Sequence, residues 1–193
     1  ALLFRKGEWC RMTLGSDGVL SCIDPQTPVK TVPSNQIYSS ILYRGKTLLG
    51  EYPSGQLFEF DGEKVFVAKM PQPAPRGSEA QSLAFYCGDL YVGYWPQGEV
   101  LRFDGTKWHK PIQLFSSRNV ESHRAVALEA GLPENFFGRR AQALVPFGDS
   151  LYAAASSKSG GDVHTPVDIG SEALEYGVIH RIWKPGCKTR HLR

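Results

Sequence analysis

Between Gln81 and Ile112 apolar residues alternate with small or polar ones in four short runs, QSLAFYC, DLYVGYW, EVLRF and KWHKPI. Alternation with a period of two over four to eight residues is the pattern of half-buried strands. The breaks between the runs hold Gly88-Asp89, Pro96-Gln97-Gly98 and Asp104-Gly105, which are turn residues. Four short antiparallel strands joined by tight turns are therefore expected here. A helical pattern is expected only within residues 113–138, where an Ala-rich, Leu-containing stretch lies between Ser117 or Asn119 as N-cap and Gly131 and Pro133 as stop signals.

The same pattern occurs earlier in the chain. TLLGEYPSGQLFEFDGEKV (47–65) aligns without a gap on LYVGYWPQGEVLRFDGTKW (90–108), with Gly50 on Gly93. Extended to Tyr43–Phe66 against Tyr86–His109, the alignment has nine identities in 24 positions, five of them Gly or Pro. Turn-fixing residues repeat, so the repeating object is a folded unit. A third copy is split by an insertion: AQALVPFGDSLYAAA (141–155) matches the first two strands, with Gly148-Asp149 on Gly88-Asp89, and YGVIHRIWKPGCKTR (176–190) matches the last two. LLFRKGEWCRM, near the start, matches the second half of a unit.

A recurring four-stranded meander of about 43 residues resembles the β-propeller repeat proteins, whose blades have this length and form. A β-sandwich would have no reason to repeat its turns. The fold class expected is all-β, a propeller of four-stranded antiparallel blades with about 3.5 blades in this chain. The units are a partial blade (1–36), a blade (37–75), a blade (76–112), a helical insertion (113–138) and a blade with a long loop at 156–177 (139–193). The resemblance is to the architecture alone. The Gly-His and Trp-Asp pairs of WD40 repeats are missing, Gly160-Gly161 is the one kelch-like double glycine, and GSDGVLSC (15–22) lacks the Trp of a sialidase Asp box. Four copies of the unit's second half stand against three of its first, so a completing chain segment or a homo-oligomer is expected.

Composition narrows the partners. A net charge of +3, with basic residues scattered except in the terminal CKTRHLR, argues against nucleic acid. No apolar run approaches the roughly 20 residues of a membrane span, and ALLFRKGEW lacks signal-peptide form. Cys10, Cys22, Cys87 and Cys187 are too widely spaced for a compact zinc motif. Free thiols and one or two disulfides both remain open, and no compartment is assigned. No N-x-S/T acceptor, P-loop, G-x-S-x-G, H-E-x-x-H or C-x-x-C motif occurs, so neither metal nor cofactor is expected.

The propeller resemblance implies that the first strand of each blade lines a central channel. Loops joining strands two and three would share one face with loops joining consecutive blades, so the insertions at 111–140 and 156–177 would lie on the same face. Long loops on a rigid scaffold are usually functional. The helix would cover the channel mouth or wall a pocket with Glu121, His123 and Arg124. In the second insertion the spacing of Asp162, His164, Asp168 and Glu172 is interrupted by apolar residues and Pro166, which is unlike a Ca²⁺ loop.

The lead-ins APRGSEAQSL, FFGRRAQAL and, less closely, VPSNQIYSSI would place Arg76, Glu79, Gln81, Arg139, Arg140 and Gln142 around the mouth. Tyr52, Tyr94 and Trp95 would stand beside them, and His164 joins the candidates from the second insertion. Guanidinium forks suit carboxylate or phosphate, amides suit hydroxyls, and aromatic faces suit sugars. The expected function is binding of a small polar or anionic ligand, a glycan or a protein at this mouth. The alternative is a carbohydrate hydrolase or lyase using Glu79, Glu121 or Asp162, which would need two facing carboxyls ~5–10 Å apart.

Overall fold

The computed structural model describes residues 2–5, 8–26, 36–70, 79–115, 117–131, 138–157 and 178–182. Over these the protein is all-β with one helix. Strands β1 (Leu2–Arg5), β2 (Glu8–Leu14) and β3 (Leu20–Gln26) form a first sheet. The second is β4 (Gln36–Tyr43), β5 (Lys46–Tyr52), β6 (Leu57–Phe60) and β7 (Val65–Val67). The third is β8 (Glu79–Tyr86), β9 (Asp89–Trp95), β10 (Glu99–Phe103) and β11 (Ile112–Gln113). Helix α1 (Ser117–Glu129) leads to the fourth, β12 (Arg139–Phe147), β13 (Ser150–Ser157) and β14 (Val178–Ile182). Each sheet is an open antiparallel meander in chain order.

The repeat governs the register. Strand β4 shifts between Ile37 and Ser39, β8 between Ala80 and Ser82, and β12 between Ala141 and Ala143, so Tyr38, Gln81 and Gln142 are one bulge seen three times. The first hairpins of the second and third sheets turn through Arg44-Gly45 and Cys87-Gly88, all with positive φ. Positive φ at both central residues is the type I′ signature that matches strand twist. The fourth sheet differs by one place from the sequence expectation. Phe147 pairs with Ser150, so Gly148 (φ 59°) occupies the position of Cys87 and Asp149 that of Gly88. A lone glycine at the first central position is the II′ arrangement, which joins the same strands with a different residue order.

The ladder also corrects the fourth strand of the third sheet. Within KWHKPI, Trp108 makes an isolated bridge to Phe103 and the His109 N–H bonds to Arg102 O at 2.9 Å, but regular pairing begins only at its last residue, Ile112, opposite Val100 at the start of β11. Asp104 Oδ1 accepts the N–H groups of Thr106 (2.9 Å) and Lys107 (3.0 Å), closing a turn. Pro111 then offers no N–H to the ladder, and pairing resumes one residue on. In the second sheet Asp61 closes the same turn with Glu63 (2.9 Å) and Lys64 (2.8 Å), and β7 follows at once.

The second, third and fourth sheets pack face to face in chain order. Tyr43, Leu48 and Leu57 of the second meet Leu90, Val92, Leu101 and Phe103 of the third in one buried cluster. Ala84, Tyr91 and Val100 of the third meet Leu144, Leu151 and Ala153 of the fourth in another. The two junctions are built alike. Ser39 donates its hydroxyl to the Ala80 carbonyl at 2.7 Å, and Ser82 donates to the Ala141 carbonyl at 2.6 Å. A Cβ on Gly50 would stand 2.4 Å from Ala80 O, and one on Gly93 2.6 Å from Ala141 Cβ. These two glycines repeat because the next sheet's first strand presses on their backbone. At the corresponding places the fourth sheet has Ala143 and Ala154.

Helix α1 lies inside the expected insertion and ends where the sequence indicated. The N–H of Gly131 bonds to Leu128 O at 3.0 Å, with Gly131 at φ 69°, a left-handed cap open to glycine. The second insertion begins two residues later than expected, because β13 runs through Ser157. Residues 158–177 lie outside the described residues, so the expected common face of the two insertions lies there too.

Candidate functional site

Strands β4 and β8 begin with Gln36 and Glu79, and their equivalent in β12 is its second residue, Arg140; each is followed after one position by the bulge residue Tyr38, Gln81 or Gln142. A bulge re-aims a side chain out of the pleat, so three neighbouring strands bring polar and aromatic groups to one end of the sheet stack.

At the centre is Glu79. It is only 4% exposed, and its Oε2 accepts no hydrogen bond from the described residues. Among these the cation beside it is Arg140, whose Nε lies 3.9 Å away, beyond hydrogen-bond length. Burial pushes the Glu79 carboxyl above its ordinary range, and Arg140 offsets only part of that shift. Gln81 likewise has a buried Oε1 with no hydrogen-bond donor among the described residues. Two buried acceptors without donors are costly, each at about 1–3 kcal/mol or more for a charged group. They mark a place suited to a hydrogen-bond donor.

Tyr38 joins this group. Its ring meets Tyr52 edge to face, with centroids 6.0 Å apart, and it is 41% exposed. Burial raises its phenol pKa, Glu79 and Tyr52 add to the rise, and Arg140 opposes it. The phenol therefore shares the electrostatic environment of Glu79 and Arg140. The sequence reading named Tyr52 but missed Tyr38. The signal was present, because the displacement that carries Gly50 to Gly93 also carries Tyr38 to Gln81 and Ser39 to Ser82.

Other expected residues lie elsewhere. Arg139 is buried, with its guanidinium carbon 5.9 Å from the Phe115 ring centre and its N–H bonded to Pro96 O at 2.8 Å. Its position is between the third and fourth sheets. Trp95 is half-buried with its indole against Gly138, where a Cβ would come within 2.5 Å of the ring. Tyr94 is buried and donates to Gly55 O at 3.3 Å; burial alone raises its pKa. These three serve packing between sheets. Gln142 is exposed and accepts from Ser156 Oγ at 3.0 Å, on the rim. Arg76 and His164 lie outside the described residues, as do Asp162, Asp168 and Glu172. Glu121 and Arg124 are exposed on α1.

The turns at this end of the second and third sheets are built alike. Tyr52-Pro53 and Trp95-Pro96 are both cis, and Gly55 and Gly98 both have positive φ. Glu51 is buried and accepts from both the backbone N–H (3.1 Å) and the hydroxyl (2.5 Å) of Ser54. This carboxylate is thus used in shaping the turn. Glu99, also buried, bonds to Gln113 Nε2.

Among the described residues no group of three or more His, Cys, Asp or Glu gathers as a metal site. No helix among them is long and apolar enough to cross a membrane. Cys87, at the tip of the β8–β9 hairpin, is disulfide-bonded. No protein-family model matches the chain, and no curated protein matches it.

Proposed function

We propose that the sheets are successive blades of a β-propeller, and that the end carrying Tyr38, Glu79, Gln81 and Arg140 is a channel mouth that binds a hydroxyl-rich ligand, a glycan in the first instance. Support for the architecture comes from the repeated bulges, the repeated Ser–Ala hydrogen bonds and the Gly50 and Gly93 contacts, which relate the second sheet to the third and the third to the fourth by similar contacts. The observation that carries the ligand class is the pair of buried acceptors, Glu79 Oε2 and Gln81 Oε1, neither with a hydrogen-bond partner among the described residues. Acceptors in need of donors suit sugar hydroxyls, the Tyr38–Tyr52 pair offers an apolar ring face, and the half-exposed Arg140 fixes an oxygen. The Cys87 disulfide suits an oxidising compartment.

The enzymatic alternative would use the raised pKa of Glu79 as a general acid. The charged group that acts on Glu79 among the described residues is a cation, Arg140. One carboxyl facing one guanidinium favours binding over glycoside hydrolysis. A glycan array probed with the wild-type protein, Tyr38→Ala and Glu79→Gln tests the reading. Selective glycan retention by the wild type, reduced about tenfold or more in each variant, is the expected outcome. Equal retention by all three proteins would remove the mouth from consideration.

A further inference from the structure

At the other end of the second and third sheets a cleft of about 270 Å³ opens between them. Its apolar lining is Tyr43, Met70 and Phe103, of which the two aromatics are buried. Around these stand three cations, Arg44, Lys46 and Lys69, and one carboxylate, Glu59. Glu59 is already committed. One oxygen accepts from Lys46 Nζ at 2.8 Å and the other from the backbone N–H of Lys69 at 3.2 Å. Neither Arg44 nor the Lys69 ammonium has a carboxylate partner among the described residues.

Arg44 reaches this cleft from the β4–β5 turn. It has φ 51°, at the first central position of the β4–β5 turn, where Asn, Asp or Gly is the favoured residue. Its guanidinium carbon lies 5.2 Å from the Tyr43 ring centre, and Nη2 would touch a Cβ added to Gly105 at 2.7 Å. The glycine of the Asp104 turn therefore leaves room for the guanidinium. The next junction is closed at the equivalent place. Tyr86 donates its hydroxyl to Asp149 O at 2.5 Å, and Cys87, the counterpart of Arg44, is in a disulfide.

We propose that this cleft is a second binding site, distinct from the mouth, for a carboxylate carried on a small apolar body. The volume lies just below the ~300–1,000 Å³ of clefts for drug-sized ligands, so the ligand is small. The carboxylate is held between the planar fork of Arg44 and the ammonium of Lys69. Its apolar part rests on Tyr43, Met70 and Phe103.

The test is a titration of ¹⁵N-labelled protein with benzoate, set against benzyl alcohol and inorganic phosphate, followed by amide chemical shifts. Saturable shifts at Arg44, Gly45, Lys69, Met70 and Gly105 are expected with benzoate, and weaker binding of both comparison compounds. Arg44→Asn, a residue the turn accepts, and Lys69→Gln, at an exposed position, are each expected to weaken benzoate about tenfold while the rest of the spectrum superimposes. Absence of saturation, benzyl alcohol or phosphate binding as tightly as benzoate, or unchanged affinity in both variants would overturn the proposal.

Discussion

Glu79 shows why a residue's position in the repeat matters more than its type. Gln36 and Arg140 occupy the same place in neighbouring strands and are exposed, whereas Glu79, in the middle strand, is buried beside them. A carboxyl whose folded pKa lies above its unfolded value binds more protons in the native state across the window between the two. Stability attributable to it therefore falls as pH rises through that window. Glu79→Gln is expected to flatten the fall and to leave the protein as stable as wild type or more so at neutral pH, by urea denaturation at several pH values. A variant that is destabilised at neutral pH and keeps the wild-type pH slope would refute the burial of this carboxyl. Gly93 is the sharper structural case. A Cβ there would press on Ser82 Oγ at 2.4 Å and Ala141 Cβ at 2.6 Å. Gly93→Ala is expected to cost about 1–3 kcal/mol in a urea melt, and a neutral result would contradict the close approach of the third and fourth sheets. The glycine was legible as a repeated residue, but its cause was not, since the crowding atoms are 11 and 48 positions away in the chain.

At the scale of elements the units share a cross-strand ion pair with its charges exchanged. Lys46 pairs with Glu59 at 2.8 Å in the second sheet, and Asp89 with Arg102 at 2.7 Å in the third. Lys46 maps onto Asp89, and Glu59 onto Arg102, by the displacement that relates Gly50 to Gly93. In the fourth sheet Arg181 donates to Ser150 Oγ at 2.6 Å in the corresponding place. Such a site needs complementarity across the strands and tolerates either sign. Asp89→Lys alone leaves two cations facing each other with little water, and a cost of about 2 kcal/mol or more is expected. Asp89→Lys with Arg102→Glu is expected to recover at least half of that loss in a double-mutant cycle. Additive losses would mean that the pair is not a unit. Strand existence and the hairpins were legible, because alternation and turn glycines are local signals. The fourth strand of the third sheet starts later than the alternation suggests, at the end of KWHKPI, because Trp108 and Ile112 both suit a strand and the Asp104 turn and Pro111 delay regular pairing.

For the whole molecule, the repeat made the stacking of similar sheets readable before any coordinates. It could not say which polar residues would meet. Arg139 and Arg140 are adjacent in sequence, yet one is buried against Phe115 and the other stands near Glu79, because successive residues of a strand point to opposite faces. The binding reading depends on three strands, distant in sequence, presenting one surface through Tyr38, Glu79, Gln81 and Gln142. The most direct measurement is an amide chemical-shift titration of the wild-type protein with the glycan most strongly retained on the array. Residues 36–38, 79–82 and 140–142 are expected to shift together with a single dissociation constant, leaving Arg44, Lys69 and Gly105 unmoved. Shifts confined to one strand, or centred on helix α1 or on the cleft at Arg44, would contradict a shared mouth.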